Sequence, residues 1–366
     1  MPTLRLIADD LTGTLDTAAG LTGLCGTIPV VWPEILTDHA AGSLAIDSGT
    51  RERGAEEAVR ITSGLFPLLD SADIAFKKLD SLMRGPWVAE LAAAVTAGSW
   101  RRCIVAPAFP YQGRVTVEGR QAAKRADGWF PVSADIAQIL CEAGLPARRA
   151  RVAEGPVDGV AVYDARTDED LAAIAALPSD GSVLWCGSGG LAAALAKGTK
   201  PPGNANLDGP VLGLFGSDRE ETEAQLAACG FLRLVLSYGS RHPQLIMDRL
   251  ARDGAVMANL ELPPGTAREA AAARIAETFA RLTDGIPRPG TLLVAGGETL
   301  KALCLSLSVE RLDVTGEITP GLPRSTLRGG RWDGLSVVSK SGAFGVPGLW
   351  SDLLHQNGFP HDRSGT

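Results

Sequence analysis

The chain lacks the sequence features that mark membrane, secreted and metal-binding proteins. No apolar run approaches the roughly 20 residues of a membrane span, and no basic segment followed by an apolar stretch opens the chain. The six cysteines include no CxxC pair, which argues against zinc and against a disulfide framework. The formal net charge of −7 gives no general attraction for nucleic acid or anionic membranes. We therefore expect a cytoplasmic protein without nucleic-acid or membrane partners and without a metal ligated by its own side chains.

Two nucleotide-binding signatures are missing as well. The P-loop pattern GxxxxGK[ST] does not occur, and no GxGxxG follows an early strand with an acid about 20 residues further on. The second absence weighs against a nucleotide-dependent oxidoreductase, an alternative enzyme class that would show the same alternation of strands and helices.

Strand-like apolar runs alternate with helical stretches through most of the chain. Such alternation is typical of βαβ units and mostly parallel sheets. Residues 198–209, rich in Pro, Gly and Asn, predict a linker. We predict two Rossmann-like α/β domains, at 1–200 and 208–358, with an interdomain cleft as the place for a small ligand. The predicted strands after the first are 43–46, 73–76, 103–106, 160–163, 183–185, 211–215, 232–236, 255–260, 291–294 and 335–338.

The first predicted strand ends in two adjacent carboxylates. Leu4, Leu6 and Ile7 have the character of a buried strand, and Asp9 and Asp10 follow where it would emerge. The carboxyl ends of strands are the ligand-binding edge of open α/β sheets. Either the pair meets a cation or a substrate hydroxyl, or one of the two acids caps a helix that begins near residue 16. The segment alone leaves both interpretations open.

The strand at 73–76 also runs into charged residues. The segment FKKLDSLMRG places Lys77 and Lys78 at the strand end, Asp80 and Ser81 in the turn, and Arg84 before a Gly-Pro pair. Alternation along a strand sends neighbouring side chains to opposite faces, so only one lysine is expected to enter a site. These groups could hold a small polyhydroxylated anion, and a surface turn with ordinary ion pairs is the alternative.

Two further segments of the first half carry an arginine after a strand. DSGTR brings Arg51 to a strand end, where a solvated arginine is the commoner case. The long segment APAFPYQGRVTVEG carries Phe109, Tyr111 and Arg114. A structural loop of that length is uncommon without a functional reason, so we expect these three side chains to wall a pocket.

Three loops rich in glycine and serine follow predicted strands of the second half. Glycines let a phosphate approach backbone N–H groups, and a helix N-terminus supplies positive potential. Each loop alone is compatible with an ordinary turn, but three of them at strand ends of one domain resemble a nucleotide cradle. Their candidate residues are Gly216 and Ser217, then Gly296, Gly297, Glu298 and Thr299 of VAGGET, and Lys340 and Gly342 of SKSGAFG.

These motifs also occur together in a known family. IADDLTG, KKLDSLMRG, VAPAFPYQGR, Gly216-Ser217, GGET and KSGAFG stand here in the order seen in four-carbon acid sugar kinases, which the chain resembles from about Leu4 to about Trp350. That family includes the threonate, erythronate and 3-oxo-tetronate kinases. The resemblance implies a sugar-acid-binding N-terminal domain and an ATP-binding C-terminal domain. It also implies transfer of the γ-phosphoryl group of ATP to the terminal 4-hydroxyl of the acid.

The resemblance also implies roles for individual residues. It places substrate contacts on Asp10, Arg51, Lys78, Asp80 and Ser81, and ATP contacts on Ser217, on Gly296 to Thr299 and on Gly342. The residues themselves add Arg84 and Arg114 on the substrate side and Lys340 on the ATP side. The chain departs from the family pattern in a shorter stretch after Gly119, which leaves the acid unidentified, and in Glu298, where many members have Asp.

Our mechanistic hypothesis follows from these assignments. Arg51 and Lys78, with Arg84 as a third candidate, bind the substrate carboxylate and neighbouring hydroxyls. Asp10 orients and partly deprotonates the attacking hydroxyl, with Asp80 as the rival base. Mg²⁺ bridges the ATP phosphates, held mainly by phosphate oxygens and water. A non-catalytic sugar-acid-binding homologue would share every motif and remains an alternative. The oligomeric state is left open, a homodimer included.

Overall fold

The computed structural model describes residues 1–36, 42–125, 127–179, 182–196, 198–217, 219–239, 243–263 and 265–359. The chain divides into two compact units, Met1–Pro201 and Pro202–Thr366. Among the described residues, every helix is too short or too polar to cross a membrane.

The first unit is an α/β structure whose strands and helices alternate. Its strands are β1 (Leu4–Ala8), β2 (Ile28–Val31), β3 (Leu44–Asp47), β4 (Ile74–Lys78), β5 (Arg102–Ala106), β6 (Arg114–Val117), β7 (Arg120–Arg125), β8 (Gly128–Asp135), β9 (Ala147–Ala150), β10 (Gly159–Tyr163) and β11 (Val183–Gly187). Its helices are α1 (Leu11–Cys25), α2 (Ala55–Ser63), α3 (Trp87–Ala97), α4 (Ile136–Glu142), α5 (Asp168–Ala175) and α6 (Gly189–Leu195).

The main sheet of the first unit is parallel, with strand order β2-β3-β1-β4-β11-β5-β10-β9. All five residues of β1 are buried, as expected for a strand covered on both faces. Strands β2 and β3, which follow β1 in the sequence, lie on one side of it in the sheet, and β4 lies on the other side. The sheet therefore has a topological switch point between β1 and β4, where ligands of open α/β sheets bind.

Strands β6, β7 and β8 form a separate antiparallel sheet. We expected residues 106–119 to form a loop, and this expectation is wrong for residues 114–117. Glu118 and Gly119, with φ of 50° and 73°, make the two-residue turn that pairs Val117 with Arg120. The hairpin was hard to predict because its turn is Glu-Gly rather than Asn-Gly or Asp-Gly, and because its strands do not alternate cleanly.

The second unit has the same kind of architecture. Its strands are β12 (Val211–Phe215), β13 (Arg233–Ser237), β14 (Ala255–Glu261), β15 (Thr291–Ala295), β16 (Arg311–Glu317), β17 (Pro323–Arg328) and β18 (Ser336–Lys340). Its helices are α7 (Glu220–Ala228), α8 (Pro243–Asp253), α9 (Arg268–Asp284), α10 (Gly297–Ser306) and α11 (Leu349–Gln356).

The strand order of the second unit is β13-β14-β12-β15-β18-β17-β16. The first five strands are parallel, and β17 and β16 add an antiparallel hairpin that we did not predict. The switch point lies between β12 and β15, which corresponds to the position of β1 and β4 in the first unit. Residues 198–209, predicted as a linker, contain neither helix nor strand.

Candidate functional site

Asp10 is both a helix cap and a member of a charged cluster. It is the N-cap of α1, and its Oδ1 accepts hydrogen bonds from Gly13 N at 3.0 Å and from Arg51 Nη2 at 2.7 Å. A side chain on Gly13 would bring its Cβ within 2.5 Å of that oxygen, so glycine is required there. The helix begins at Leu11 rather than near residue 16, so the expected start was wrong. The two interpretations of the acid pair are therefore compatible.

Arg51 is held by the carboxylates at the end of β1. Its Nε and Nη2 donate to Asp9 Oδ2 and Oδ1, both at 2.6 Å, which is the bidentate geometry of a strong guanidinium–carboxylate pair. Its Nη1 lies 3.9 Å from Asp80 Oδ1, and the side chain is 12% exposed. We expected the fork of Arg51 to meet the substrate carboxylate, but in the structure Asp9 and Asp10 already occupy it.

The two lysines of β4 meet different partners, as strand alternation predicts. Lys77 Nζ lies 2.6 Å from Glu90 Oε2 of α3, and both side chains are fully buried. Lys78 Nζ donates to the carbonyl of Leu79 at 2.8 Å. It lies 3.4 Å from the position that a Cβ on Gly13 would take, which puts its ammonium group beside Asp10. Lys78 is therefore the lysine that reaches the switch point.

The turn after β4 is organised around Asp80. Its Oδ2 accepts from the backbone N of Arg84 at 3.2 Å and from Arg84 Nε, so that the turn closes on its own ion pair. The Arg84 side chain is about half exposed. Ser81 is buried, and its carbonyl accepts from Gln121 Nε2 of β7 at 2.9 Å. The turn is thus fixed by its own Asp80–Arg84 ion pair and by the hydrogen bond from β7.

The acids of the cluster differ in acidity because their surroundings differ. Burial raises the pKa of Asp10 to about 6, and the charge of Asp9 adds to this although Arg51 and Lys78 oppose it. Burial also disfavours the charged form of Asp80, but the hydrogen bond from Arg84 and the charge of Arg51 hold its pKa well below its usual range. For Asp9, likewise, the contacts with Arg51 outweigh burial and lower the pKa.

Two buried residues that support this site were not predicted. Glu90 accepts from the Thr50 hydroxyl and pairs with Lys77, which links the residue before Arg51 to the one before Lys78. Gln121 donates to the carbonyls of Ser81 and Pro107, at 2.9 and 3.1 Å. The available sequence signal for Glu90 was a lone acid in an otherwise apolar helix. Gln121 gave no signal.

The two aromatic residues of the segment 106–119 differ in exposure. Phe109 is buried, with its ring 3.1 Å from where a Cβ on Gly189 would lie, and Tyr111 is exposed. Cβ atoms on Gly189 and Gly190 would lie within 3.1 Å of Asp16, Phe109, Ala108 and Leu171, so these glycines allow close packing at the start of α6. Arg114 at the start of β6 is half-buried, and its Nη1 donates to Gln112 Oε1.

In the second unit, the three glycine- and serine-rich loops start at one level of the sheet. Phe215 pairs with Ala295, and Ala295 pairs with Lys340, so β12, β15 and β18 end side by side. A Cβ on Gly216 would lie 2.1 Å from Thr299 Oγ1, and a Cβ on Gly342 would lie 2.1 Å from Ser217 Oγ. The structure therefore brings Ser217, Thr299 and Gly342 together at the switch point.

Gly296 and Gly297 form the entry to α10. Gly296 is its N-cap with φ of 106°, a conformation that favours glycine, and its N donates to the carbonyl of Lys340 at 3.0 Å. Glu298 is exposed in the first turn of the helix, where an acid complements the helix dipole. The free N–H groups at the start of α10 are suited to an anion.

Lys340 places a buried positive charge among these loops. Its Nζ donates to the carbonyls of Ser341 at 3.0 Å and Gly342 at 3.2 Å, and the residue is 1% exposed. Burial lowers the pKa of Lys340 to about 8, against the charge of Glu221. Among the described residues its hydrogen bonds go to neutral carbonyl oxygens, so this ammonium group is suited to receive a phosphate. Across the described ranges, no three His, Cys, Asp or Glu side chains are grouped to hold a metal ion.

Comparison with known proteins gives the same division of the chain. Residues 4–133 match a family model described as a sugar-binding N-terminal domain, and residues 210–349 match one described as a nucleotide-binding C-terminal domain. A D-threonate kinase of Cupriavidus necator is 32% identical, over 94% of this chain and 96% of the relative. A 3-oxo-tetronate kinase of Pseudomonas fluorescens is 27% identical, over 97% of each chain.

A solved structure from Salmonella typhimurium shares the fold. It has a TM-score of 0.74 and 21% sequence identity, over 98% of this chain and 100% of that chain.

Proposed function

This chain belongs to the four-carbon acid sugar kinase family, and from that premise we propose that it phosphorylates the terminal 4-hydroxyl of a four-carbon sugar acid with ATP. It is an enzyme, a kinase whose acceptor is a hydroxyl group. Relatives named for D-threonate and for 3-oxo-tetronate are both similar over nearly the whole chain, so threonate, erythronate and 3-oxo-tetronate are the candidate substrates.

The observation that carries the proposal is the environment of Asp10. A general base works best with a pKa near the operating pH, and burial brings Asp10 to about 6. Both of its hydrogen bonds from described residues go to Oδ1, which leaves Oδ2 for the proton of a substrate hydroxyl. Asp80 is the weaker candidate because Arg84 and Arg51 stabilise its charged form.

The remaining groups of the first unit bind and orient the sugar acid in this proposal. Lys78 donates to the hydroxyl next to the reacting one and stabilises the negative charge that develops during transfer. Ser81 and the exposed part of the Arg84 guanidinium donate hydrogen bonds to the hydroxyls in the middle of the sugar acid. Arg51 positions Asp10, since its own fork is engaged by Asp9 and Asp10.

The second unit binds ATP in this proposal. Ser217, the start of α10 at Gly296, Gly297, Glu298 and Thr299, and the loop of Lys340 and Gly342 surround the phosphates. The donor set fits phosphate, since it consists of a buried ammonium group, hydroxyls and backbone N–H groups. Mg²⁺, when bound, would neutralise phosphate charge, and since the described residues include no group of acids that could hold it, phosphate oxygens and water would be its main ligands.

The test is a coupled ADP-release assay with MgATP over D- and L-threonate, D- and L-erythronate and the 3-oxo-tetronates. At least one of these acids is expected to give turnover that depends on the acid. Asp10→Asn keeps an amide oxygen for the Gly13 cap and should lower turnover by about 10²–10⁴-fold. Activity of Asp10→Asn within a few-fold of the unchanged protein would show that Asp10 is not the base. No turnover on any of the acids would refute the substrate class.

A further inference from the structure

Arg114 differs from the other two arginines of the substrate side, each of which forms an ion pair with an acid. Arg51 is held by Asp9 and Asp10, and Arg84 by Asp80. Within the ranges that the structure describes, the guanidinium of Arg114 has no carboxylate in ion-pair contact, and its hydrogen bond goes to the amide of Gln112. Asp80 and Asp16 act on this half-buried cation only from beyond contact distance, so its guanidinium favours an anionic ligand.

The backbone of Arg114 is fixed on both sides. Its N donates to the carbonyl of Phe109 at 3.0 Å, and its carbonyl accepts from the N of Phe109 at 2.8 Å. Gly113, with φ of 68°, makes the tight turn that allows this pairing. Arg114 then begins β6, and Thr116 of the same strand exchanges two backbone hydrogen bonds with Ala165, which follows β10, at 2.9 and 3.1 Å. The guanidinium is thus presented by a rigid element.

The side chain of Arg114 lies on the face of β6 that is turned toward the candidate site. Residues 114 and 116 share a face of the strand because side chains alternate. The hydroxyl of Thr116 donates to Gln121 Oε1 at 2.7 Å, and Gln121 Nε2 donates to the carbonyl of Ser81 at 2.9 Å, all within a buried network. Electrostatics agree with this placement. The pKa of Arg114 is lowered by burial, raised by the charges of Asp80 and Asp16, and lowered by the charge of Arg84, so the guanidinium lies within range of these groups.

From this geometry we infer that Arg114 binds the carboxylate of the sugar acid and thereby decides which end of the substrate reaches Asp10. A guanidinium offers a carboxylate two parallel hydrogen bonds, which fixes direction as well as position. With the carboxylate held at Arg114, the terminal hydroxyl is the end of a four-carbon chain left for phosphorylation. Arg51 is thereby reassigned from carboxylate binding to positioning Asp10. The inference deepens the proposed function and rests on it.

The test compares two ligands that differ in charge at one end. Calorimetry without ATP measures the Kd of D-threonate and of its neutral amide for the unchanged protein, Arg114→Met, Arg114→Lys and Arg120→Met. The last is the matched control, because Arg120 is exposed on the neighbouring strand β7. Losing hydrogen bonds to a charged group should weaken threonate binding to Arg114→Met by roughly 10–100-fold. The Kd of the amide should change less than threefold in Arg114→Met. The Kd of threonate should be intermediate for Arg114→Lys, and for Arg120→Met it should equal that of the unchanged protein.

Either of two results would overturn the inference. One is threonate binding to Arg114→Met within threefold of the unchanged protein. The other is an equal loss for acid and amide, which would indicate a general disturbance of the site. Failure of the proposed function is a separate result: threonate would bind to the unchanged protein with the expected dependence on Arg114, but no acid of the panel would be phosphorylated when ATP is added.

Discussion

At the scale of single residues, the cluster at the end of β1 shows how one arginine separates the roles of neighbouring acids. Asp9 takes both arms of the Arg51 fork, and these contacts outweigh burial and lower its pKa. Burial and the charge of Asp9 raise the pKa of Asp10, and its single hydrogen bond from Arg51 does not offset them. Two adjacent carboxylates in the sequence thus become a structural pair for Arg51 and a candidate base.

The pKa of Asp10 gives a prediction for the pH dependence of the reaction. Because the pKa is raised to about 6, Asp10 is protonated below that pH and cannot accept the hydroxyl proton. We expect kcat/KM for the sugar acid to be constant near neutral pH and to fall about tenfold per pH unit well below pH 6. A profile that stays flat down to pH 5 would contradict the assignment.

Lys340 gives a prediction of opposite sign for nucleotide binding. Its pKa is lowered to about 8, so the ammonium group holds its proton below that pH and loses it above. The Kd of MgATP, measured by calorimetry, should therefore rise by about tenfold or more between pH 7 and pH 9.5. Lys340→Arg should flatten this dependence, since arginine does not titrate in the range. An equal rise for Lys340→Arg would exclude Lys340 as its source.

The contacts of individual side chains were predicted only in part from the sequence. The strand-end position of Asp10, Lys78 and Asp80 followed from apolar runs that stop at charged residues. Which acid pairs with which arginine did not follow, because Arg51 and Asp9 are 42 positions apart and meet only through the register of β1 and β3. The contacts with Arg84 and Arg51, which separate Asp80 from Asp10 in acidity, are likewise a property of the folded chain.

At the scale of elements, the buried pair between β4 and α3 is a stability feature that the sequence does not announce. Lys77 and Glu90 are both about 1% exposed and lie 2.6 Å apart. Glu90→Ala leaves the ammonium group buried without a partner, so the free energy of unfolding should fall by about 3–5 kcal/mol. Urea denaturation measures this change.

The double variant Lys77→Met/Glu90→Leu is the control for that prediction. It replaces both charges by apolar side chains of similar size and should recover most of the lost stability. A double variant as unstable as Glu90→Ala would show that packing at this position, rather than the unpaired charge, determines the loss.

The loops of the second unit give another prediction at this scale. Gly342→Ala would bring a Cβ within 2.9 Å of Ser217 Cβ as well as onto its hydroxyl, so Ser217 must move. We expect KM for ATP to rise roughly 10–100-fold, the range for losing hydrogen bonds to a charged group, while the Kd of the sugar acid stays unchanged. Gly64→Ala, where no atom lies within 4 Å of the new Cβ, is the control. An unchanged KM for ATP would remove this loop from the nucleotide site.

Long apolar elements were predictable, and short polar ones were not. The predicted strand at 211–215 matches the observed β12 residue for residue. The hairpins β6–β7 and β16–β17 were missed, because arginines and threonines interrupt the apolar positions of their strands, which give no clear period of two. Tertiary contacts such as the pairing of Thr116 with Ala165 stabilise them instead.

At the scale of the whole chain, the two units share one topological rule. In each, the first strand is followed by two strands on one side and by the next on the other, which leaves a switch point at β1/β4 and at β12/β15. Both sets of candidate residues lie at these switch points. The alternation of strands and helices was enough to predict the α/β class, but the strand order that creates the switch points required the structure.

The central claim is that the chain transfers the γ-phosphoryl group of ATP to the terminal hydroxyl of a four-carbon sugar acid. The most direct test is proton-coupled ³¹P NMR of the product formed from MgATP and the acid that supports ADP release. We expect a phosphate ester resonance that is coupled to the two methylene protons at C4, together with an equal amount of ADP. A resonance coupled to a single methine proton, at C2 or C3, or ADP without any phosphate ester, would contradict it.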